Sequence, residues 1–181
     1  MLWLGDLMVA TLMIEFIHIV DYDPAWPQCY EQEAAVVLQA LGYYCRGIHH
    51  VGSTSVPGLS AKPVIDMAVE CGDYPPTPAM IAALAAVEYE HRGEFGVVGR
   101  HFFSKGVPRR FHLHLVPEHG EVAQRQLAFR DYLRTHPEAA QEYLAIKLLA
   151  APGQAIGSNE YVLAKAPFVE AVLTKVLGIK F

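Results

Sequence analysis

Asp66 stands in the middle of an apolar run, Pro63-Val-Ile-Asp-Met-Ala-Val-Glu70, that reads as a strand. Alternation puts Ile65, Met67 and Val69 on one face and Val64, Asp66, Ala68 and Glu70 on the other. A carboxylate in such a strand is costly to bury unless it is paired or binds a cation, which makes Asp66 the most informative acid in the chain. Its plainer reading is a structural aspartate that accepts N–H groups of the preceding loop. The run Arg109-Arg-Phe-His-Leu-His-Leu-Val116 alternates in the same way, with Phe111, Leu113 and Leu115 on one face and His112 and His114 on the other. Residues two apart on a strand lie roughly 6.6 Å apart, so two imidazoles can converge on one ion or one phosphate. Asp66, His112 and His114 are therefore the candidate catalytic and metal-binding residues. They can hold one divalent cation (Mg²⁺, Mn²⁺ or Zn²⁺), or the protonated imidazoles can bind a phosphate with no metal.

The third element is His49-His-Val-Gly-Ser-Thr-Ser-Val-Pro-Gly58. A strand ending in Gly52-Ser53-Thr54 offers free backbone N–H groups and two hydroxyls to phosphate oxygens, and Gly52 lets the backbone come close to a ligand. The loop lacks the Gly-Lys-Ser/Thr ending of a Walker A motif and the Gly-x-Ser-x-Gly of a nucleophile elbow. A hydrolase using Ser53 with His50 and Asp66 is a further alternative. Lys62, Arg130 and Arg134 extend the phosphate-binding set. The two arginines are four apart on one helix face beside Asp131, so they either grip a phosphate bidentately or form a salt-bridged surface. His50 and Lys165 complete the candidate pocket. A solvated surface charge is the plain reading of both lysines.

These residues need elements to hold them. An edge strand is expected over Ile17–Val20, a helix from Pro27 to Leu41, and strands over Arg46–Val51 and Pro63–Glu70. An Ala-rich helix over Ala79–Val87 precedes strands at Tyr89–Gly93, Val97–Ser104 and Arg109–Val116. From Glu118 onward the chain reads as helical: a second helix opens at Pro137, where Thr135 and Glu138 resemble a capping box, and a third opens near Ser158 and is broken or kinked at Pro167. The expected architecture is α+β, one sheet with helices around it and a helical C-terminal third.

The chain has 181 residues, 52% hydrophobic and 18% charged, with net charge −5. That composition excludes disorder and gives no basic run with which to grip duplex DNA. Cys29, Cys45 and Cys71 form no Cys-x-x-Cys pair and point to a reducing, cytoplasmic setting. Residues 1–16 form an apolar leader, a loose tail or an early start with Met8 and Met13 as alternatives. The leader lacks the positive n-region of a signal peptide, since no Lys or Arg precedes Arg46, and Asp6 and Glu15 interrupt it as a membrane span. Residues 17–181 are expected to form a single domain.

The run His50-Val-Gly-Ser-Thr-Ser-Val-Pro-Gly-Leu-Ser-Ala-Lys-Pro-Val-Ile-Asp66 resembles the signature of the GrpB family. So do Phe111-His-Leu-His-Leu-Val116, Leu127-Ala-Phe-Arg-Asp-Tyr-Leu-Arg-Thr-His-Pro137, Tyr22-Asp-Pro-Ala-Trp26, and Tyr161 with Lys165. The resemblance implies a nucleotidyltransferase-like mixed sheet flanked by helices. Those enzymes hold Mg²⁺ ions on paired carboxylates that bridge a triphosphate and the attacking oxygen. Gly52-Ser53 and Asp66 match that pattern, but Ala68 occupies the place of the second acid, and Glu70 lies about 13 Å beyond Asp66 along the strand. The implied functions are nucleotide binding with transfer of a nucleotidyl group to a small molecule, or a non-catalytic companion of dephospho-CoA kinase. A metal-dependent phosphohydrolase on the same Asp/His cluster is the third.

Overall fold

The computed structural model describes residues 15–178. Pro27 at the first turn and Gly42 at the end, with φ 54°, bound helix α1 over Trp26–Leu41. Strand β1 (Cys45–Val51) and a short 3₁₀ turn, Ser53–Ser55, lead to β2 (Ile65–Cys71). Helix α2 (Pro78–Ala86) is capped by Thr77, whose hydroxyl accepts from Met80 N–H. Strands β3 (Glu90–His91), β4 (His101–Lys105) and β5 (Phe111–Pro117) follow, then helices α3 (Glu121–Thr135), α4 (Pro137–Ala150) and α5 (Asn159–Leu177).

The five strands form one mixed sheet in the order β1-β2-β5-β4-β3, in which only β2 and β5 run parallel. Their register sets Asp66 beside His112 and Ala68 beside His114. On one face Ile65, Met67, Val69, Phe103, Leu113 and Leu115 pack with Trp26, Val37 and Leu41 of α1 and Met80 and Leu84 of α2. The other face meets the helical layer, where Val56 and Leu59 of the loop pack with Leu133, Ala139, Ala140 and Tyr143. The α+β architecture with a helical C-terminal third is the one the sequence leads one to expect.

Several expectations need correction. Ile17–Val20 forms no strand; isolated bridges join Phe16 to Ala155 and Val20 to Ala61. Of the expected leader, residues 1–14 lie outside the described residues, whereas the Glu15 carboxylate accepts from Arg109 N–H at 3.0 Å. Strand β4 starts only at His101, because Gly93, Phe95, Gly96 and Gly99 all take positive φ and turn the chain before it. The Thr135–Glu138 capping box is absent: His136 holds the N-cap position of α4, and the Thr135 hydroxyl donates back to the Asp131 and Tyr132 carbonyls. Helix α5 is not broken at Pro167 but continues through it. The carbonyl that loses its partner there belongs to Leu163, an exposed residue, so solvent can satisfy it. Ser158 caps this helix by accepting from Tyr161 N–H.

Candidate functional site

Between the Asp66 face of the sheet and the helical layer lies a cavity of about 290 Å³. Its sheet side presents Gly52, Ser53, Thr54, Lys62, Asp66 and His114, and its helical side presents Arg130, Tyr143, Lys147, Tyr161 and Lys165. Eight of the expected site residues thus share one cavity: Gly52, Ser53, Thr54, Lys62, Asp66, His114, Arg130 and Lys165. His112 lies against it through Asp66, its Nδ1 2.9 Å from Asp66 Oδ1.

The hydrogen bonds of the cluster fix its tautomers. Arg100 can only donate, so the 3.3 Å contact of Arg100 Nη1 with His114 Nδ1 makes that nitrogen an acceptor. His114 Nε2–H then donates to Asp66 Oδ1 at 3.5 Å. His112 donates to the same oxygen through Nδ1–H, which leaves its buried Nε2 without a partner. Lys62 Nζ, 3.4 Å from the same Nδ1, acts on the cluster through its charge. Burial would raise the Asp66 carboxyl, yet Lys62 and the two histidine hydrogen bonds outweigh it and hold the group well below the ordinary carboxylate range. Burial, with Lys62 behind it, pushes His112 down to about 4, and burial likewise lowers His114. Asp66 is therefore an anion held by two neutral imidazoles at neutral pH. So held, it is a fixed charge rather than a proton acceptor.

The two-Mg²⁺ arrangement does not fit these residues. Ala68 supplies no second acid, and Glu70 is committed elsewhere, to His49 Nε2 at 2.9 Å and to His119 N–H at 2.8 Å. Among the described residues no group of three His, Cys, Asp or Glu side chains is arranged to hold a metal ion. Asp66, His112 and His114 do meet, but as a hydrogen-bonded cluster whose N–H groups face the carboxylate, where a ligand set would present nitrogen lone pairs.

Four of the expected site residues take roles the sequence did not reveal. Arg134 donates through Nε and Nη2 to the Ser55 carbonyl, at 2.9 and 2.7 Å, and so clamps the loop from outside the cavity. Arg130 lines the cavity, but its Nη1 donates to His50 O and its Nε to Asp131. The His50 side chain lies on the α1 face: β1 pairs antiparallel with β2, which sets His50 opposite Met67. There it stacks on Tyr30 and donates to Thr54 Oγ1, since that hydroxyl itself donates to Val64 O. Gly52, at φ 70°, is required by proximity: a Cβ there would stand 2.7 Å from Asp66 Oδ2, so the close approach it allows is to the acid.

The helical wall adds Lys147 and Tyr143, which the sequence did not single out, to Lys165, which it did. Lys147 is 2% exposed, donates to Ser60 O, and is pushed down to about 7 by burial and then by Lys165. Lys165 is pushed down to about 8 by burial and then by Lys62, and its Nζ sits 3.9 Å above the Tyr161 ring. Burial also raises the phenols of Tyr143 and Tyr161, the latter to about 12. A signal for Lys147 was present: it is a lone cation four residues from Tyr143 in an otherwise apolar stretch of α4. Three lysines and Arg130 thus surround one cavity whose single lining carboxylate is already satisfied. Chemically, such a lining is suited to an anion.

No helix among the described residues is long and apolar enough to cross a membrane. The dephospho-CoA kinase of Mycolicibacterium paratuberculosis is 25% identical over 178 residues, a match covering 84% of this chain and 44% of that protein. The UPF0157 protein YqkA of Bacillus subtilis is 34% identical over 155 residues, or 85% of this chain, and the chain spans 45% of its length. The crystal structure of the conserved protein GrpB from Enterococcus faecalis matches with a TM-score of 0.78 at 34% identity, covering 89% of this chain and 98% of that one. The family description "GrpB protein" matches residues 16–175. With the sheet, the loop and the Asp66 cluster in place, these likenesses show that the chain belongs to the GrpB family.

Proposed function

We propose that this protein binds the phosphates of a nucleotide, or of a related phosphorylated small molecule, in the cavity beside Asp66, with lysines supplying the positive charge. The observation that carries this reading is the convergence of Lys62, Lys147 and Lys165 on one partly enclosed cavity with a single carboxylate. Burial lowers Lys147 and Lys165, so a bound anion, which favours their charged forms, draws protons onto them as it binds. Any transfer of the nucleotidyl group to a small molecule would take place at the same site, next to the fixed Asp66 anion.

Calorimetric titration with inorganic tripolyphosphate and with nucleoside triphosphates, in EDTA and then in Mg²⁺, tests it. Binding is expected in EDTA, about ten-fold weaker in Lys165→Met. The affinity is expected to be highest below the free-state values of the two lysines and to fall as pH rises from 7 toward 9. Binding that requires Mg²⁺, or that ignores Lys165→Met, would sink the proposal.

A second reading is a non-catalytic companion of dephospho-CoA kinase, favoured by the likeness that covers most of this chain. It calls for co-purification with that kinase, unaffected by Lys165→Met.

A further inference from the structure

Beside the phosphate cavity lies a wider one, of about 790 Å³, walled by Val97, Val98, Val122, Phe129, Val169 and Leu173. The two share Gln126, Phe129 and Val169, so they are compartments of one cleft. The walls of the second are mainly apolar, and Val98 at its rim is 85% exposed. Four polar side chains line it as well: Glu121 and Arg125, which face each other at 3.5 Å, and with them Arg100 and Gln126. Each of the last two has a buried atom without a hydrogen-bond partner: Nε of Arg100, a donor, and Oε1 of Gln126, an acceptor. Buried groups in that state are uncommon and costly, and a ligand that satisfies both recovers the cost. Arg100 also reaches the Asp66 cluster, through its Nη1 contact with His114.

A flat, largely apolar body whose edge carries one donor and one acceptor, attached to an anionic tail, matches these compartments. A nucleobase has such an edge, and its faces stack on aromatic side chains such as Phe129. We infer that the wider cavity is a nucleobase subsite, holding the base of a nucleotide whose phosphates lie in the lysine-lined cavity, with Gln126 and Arg100 reading its edge. This inference rests on the phosphate-binding reading above.

The test titrates wild type and Val122→Trp with the four ribonucleosides, their triphosphates and inorganic tripolyphosphate. Val122 lines only the wider cavity, so the indole fills the subsite and leaves the phosphate cavity alone. At least one nucleoside triphosphate is expected to bind about ten-fold tighter than tripolyphosphate, and its free nucleoside to bind detectably. Val122→Trp should remove both advantages while tripolyphosphate affinity stays within about two-fold. Equal affinity of wild type for tripolyphosphate and all four nucleoside triphosphates overturns the subsite, as does a base-dependent advantage that survives Val122→Trp. If Val122→Trp does not fold, Gln126→Leu takes its place: it should cut the advantage and change the order of preference among bases, and an unchanged order overturns the inference. Nucleoside binding without any tripolyphosphate binding would instead remove the phosphate reading and leave the base subsite standing.

Discussion

On the face toward α1 and α2, strands β2 and β5 present Ile65, Met67, Val69, Phe111, Leu113 and Leu115, packed into the main core. On the face toward α3–α5 the same strands present Asp66, His112 and His114, joined by hydrogen bonds. One residue of slip would exchange the two sets, so the packing of the apolar face fixes the position of the polar one. Close packing on one side thus supplies the rigidity that three ionisable groups need on the other, where orientation rather than burial decides the chemistry.

The contrast can be broken most severely at Leu113, which has no exposed surface. Leu113→Ala is expected to cost about 2–5 kcal/mol in urea unfolding, through lost burial and the cavity left behind. A loss well under that range would mean that the apolar face is not what holds the strands in register.

Acid should strain both faces at once. Burial pushes His50, on the α1 face, down to about 4, as it does His112 on the other. Both stay neutral in the folded chain, while in the unfolded chain they take a proton near pH 6.5. Stability from this source is therefore complete above about pH 6.5 and is lost as pH falls toward 4, by an amount on the order of a few kcal/mol for the pair. Urea midpoints at pH 7, 5.5 and 4.5 measure it, and His112→Asn should remove only its own share. A midpoint that stays level across that range would contradict the neutral cluster.

The smallest expected effect has the opposite sign. Lys147→Met replaces a buried amine, pushed down to about 7, by an apolar chain of similar length. It should raise stability at pH 7 by roughly 1 kcal/mol while weakening tripolyphosphate binding. Between pH 7 and about 10.5 the unfolded chain binds the lysine proton and the folded chain does not, so wild-type stability should rise through that window and the rise should vanish in Lys147→Met. Thermal denaturation across pH reads both; a lower melting temperature in Lys147→Met would mean that the bond to Ser60 O outweighs the burial of the charge.

What the sequence revealed follows from these contrasts. The period-two alternation around Asp66 and the two histidines is a local property, and it shows them on one face without knowledge of the fold. Lys147 was not singled out because the sequence does not say which side of α4 meets the sheet, and its only local mark is that it stands alone in an apolar stretch. His50 was misplaced for a reason of parity. Pairing with β2 puts Val51 opposite Asp66 and His50 opposite Met67, a register set by partner choice between distant segments. The arginines four apart on α3 were correctly assigned to one face, but an arginine that holds a carbonyl of the loop looks in sequence like one that holds a phosphate.

The absence of a side chain at Gly52 brings the loop backbone up against the acid. A methyl group on Gly52 would stand 2.7 Å from Asp66 Oδ2, so the loop backbone lies next to the carboxylate and its displacement changes the surroundings of the acid. The carboxylate in turn carries the N–H groups of both His112 and His114 on its other oxygen. The two imidazole rings are therefore built-in spectroscopic probes of the loop: their proton and nitrogen resonances register its movements even for a ligand that never touches a histidine.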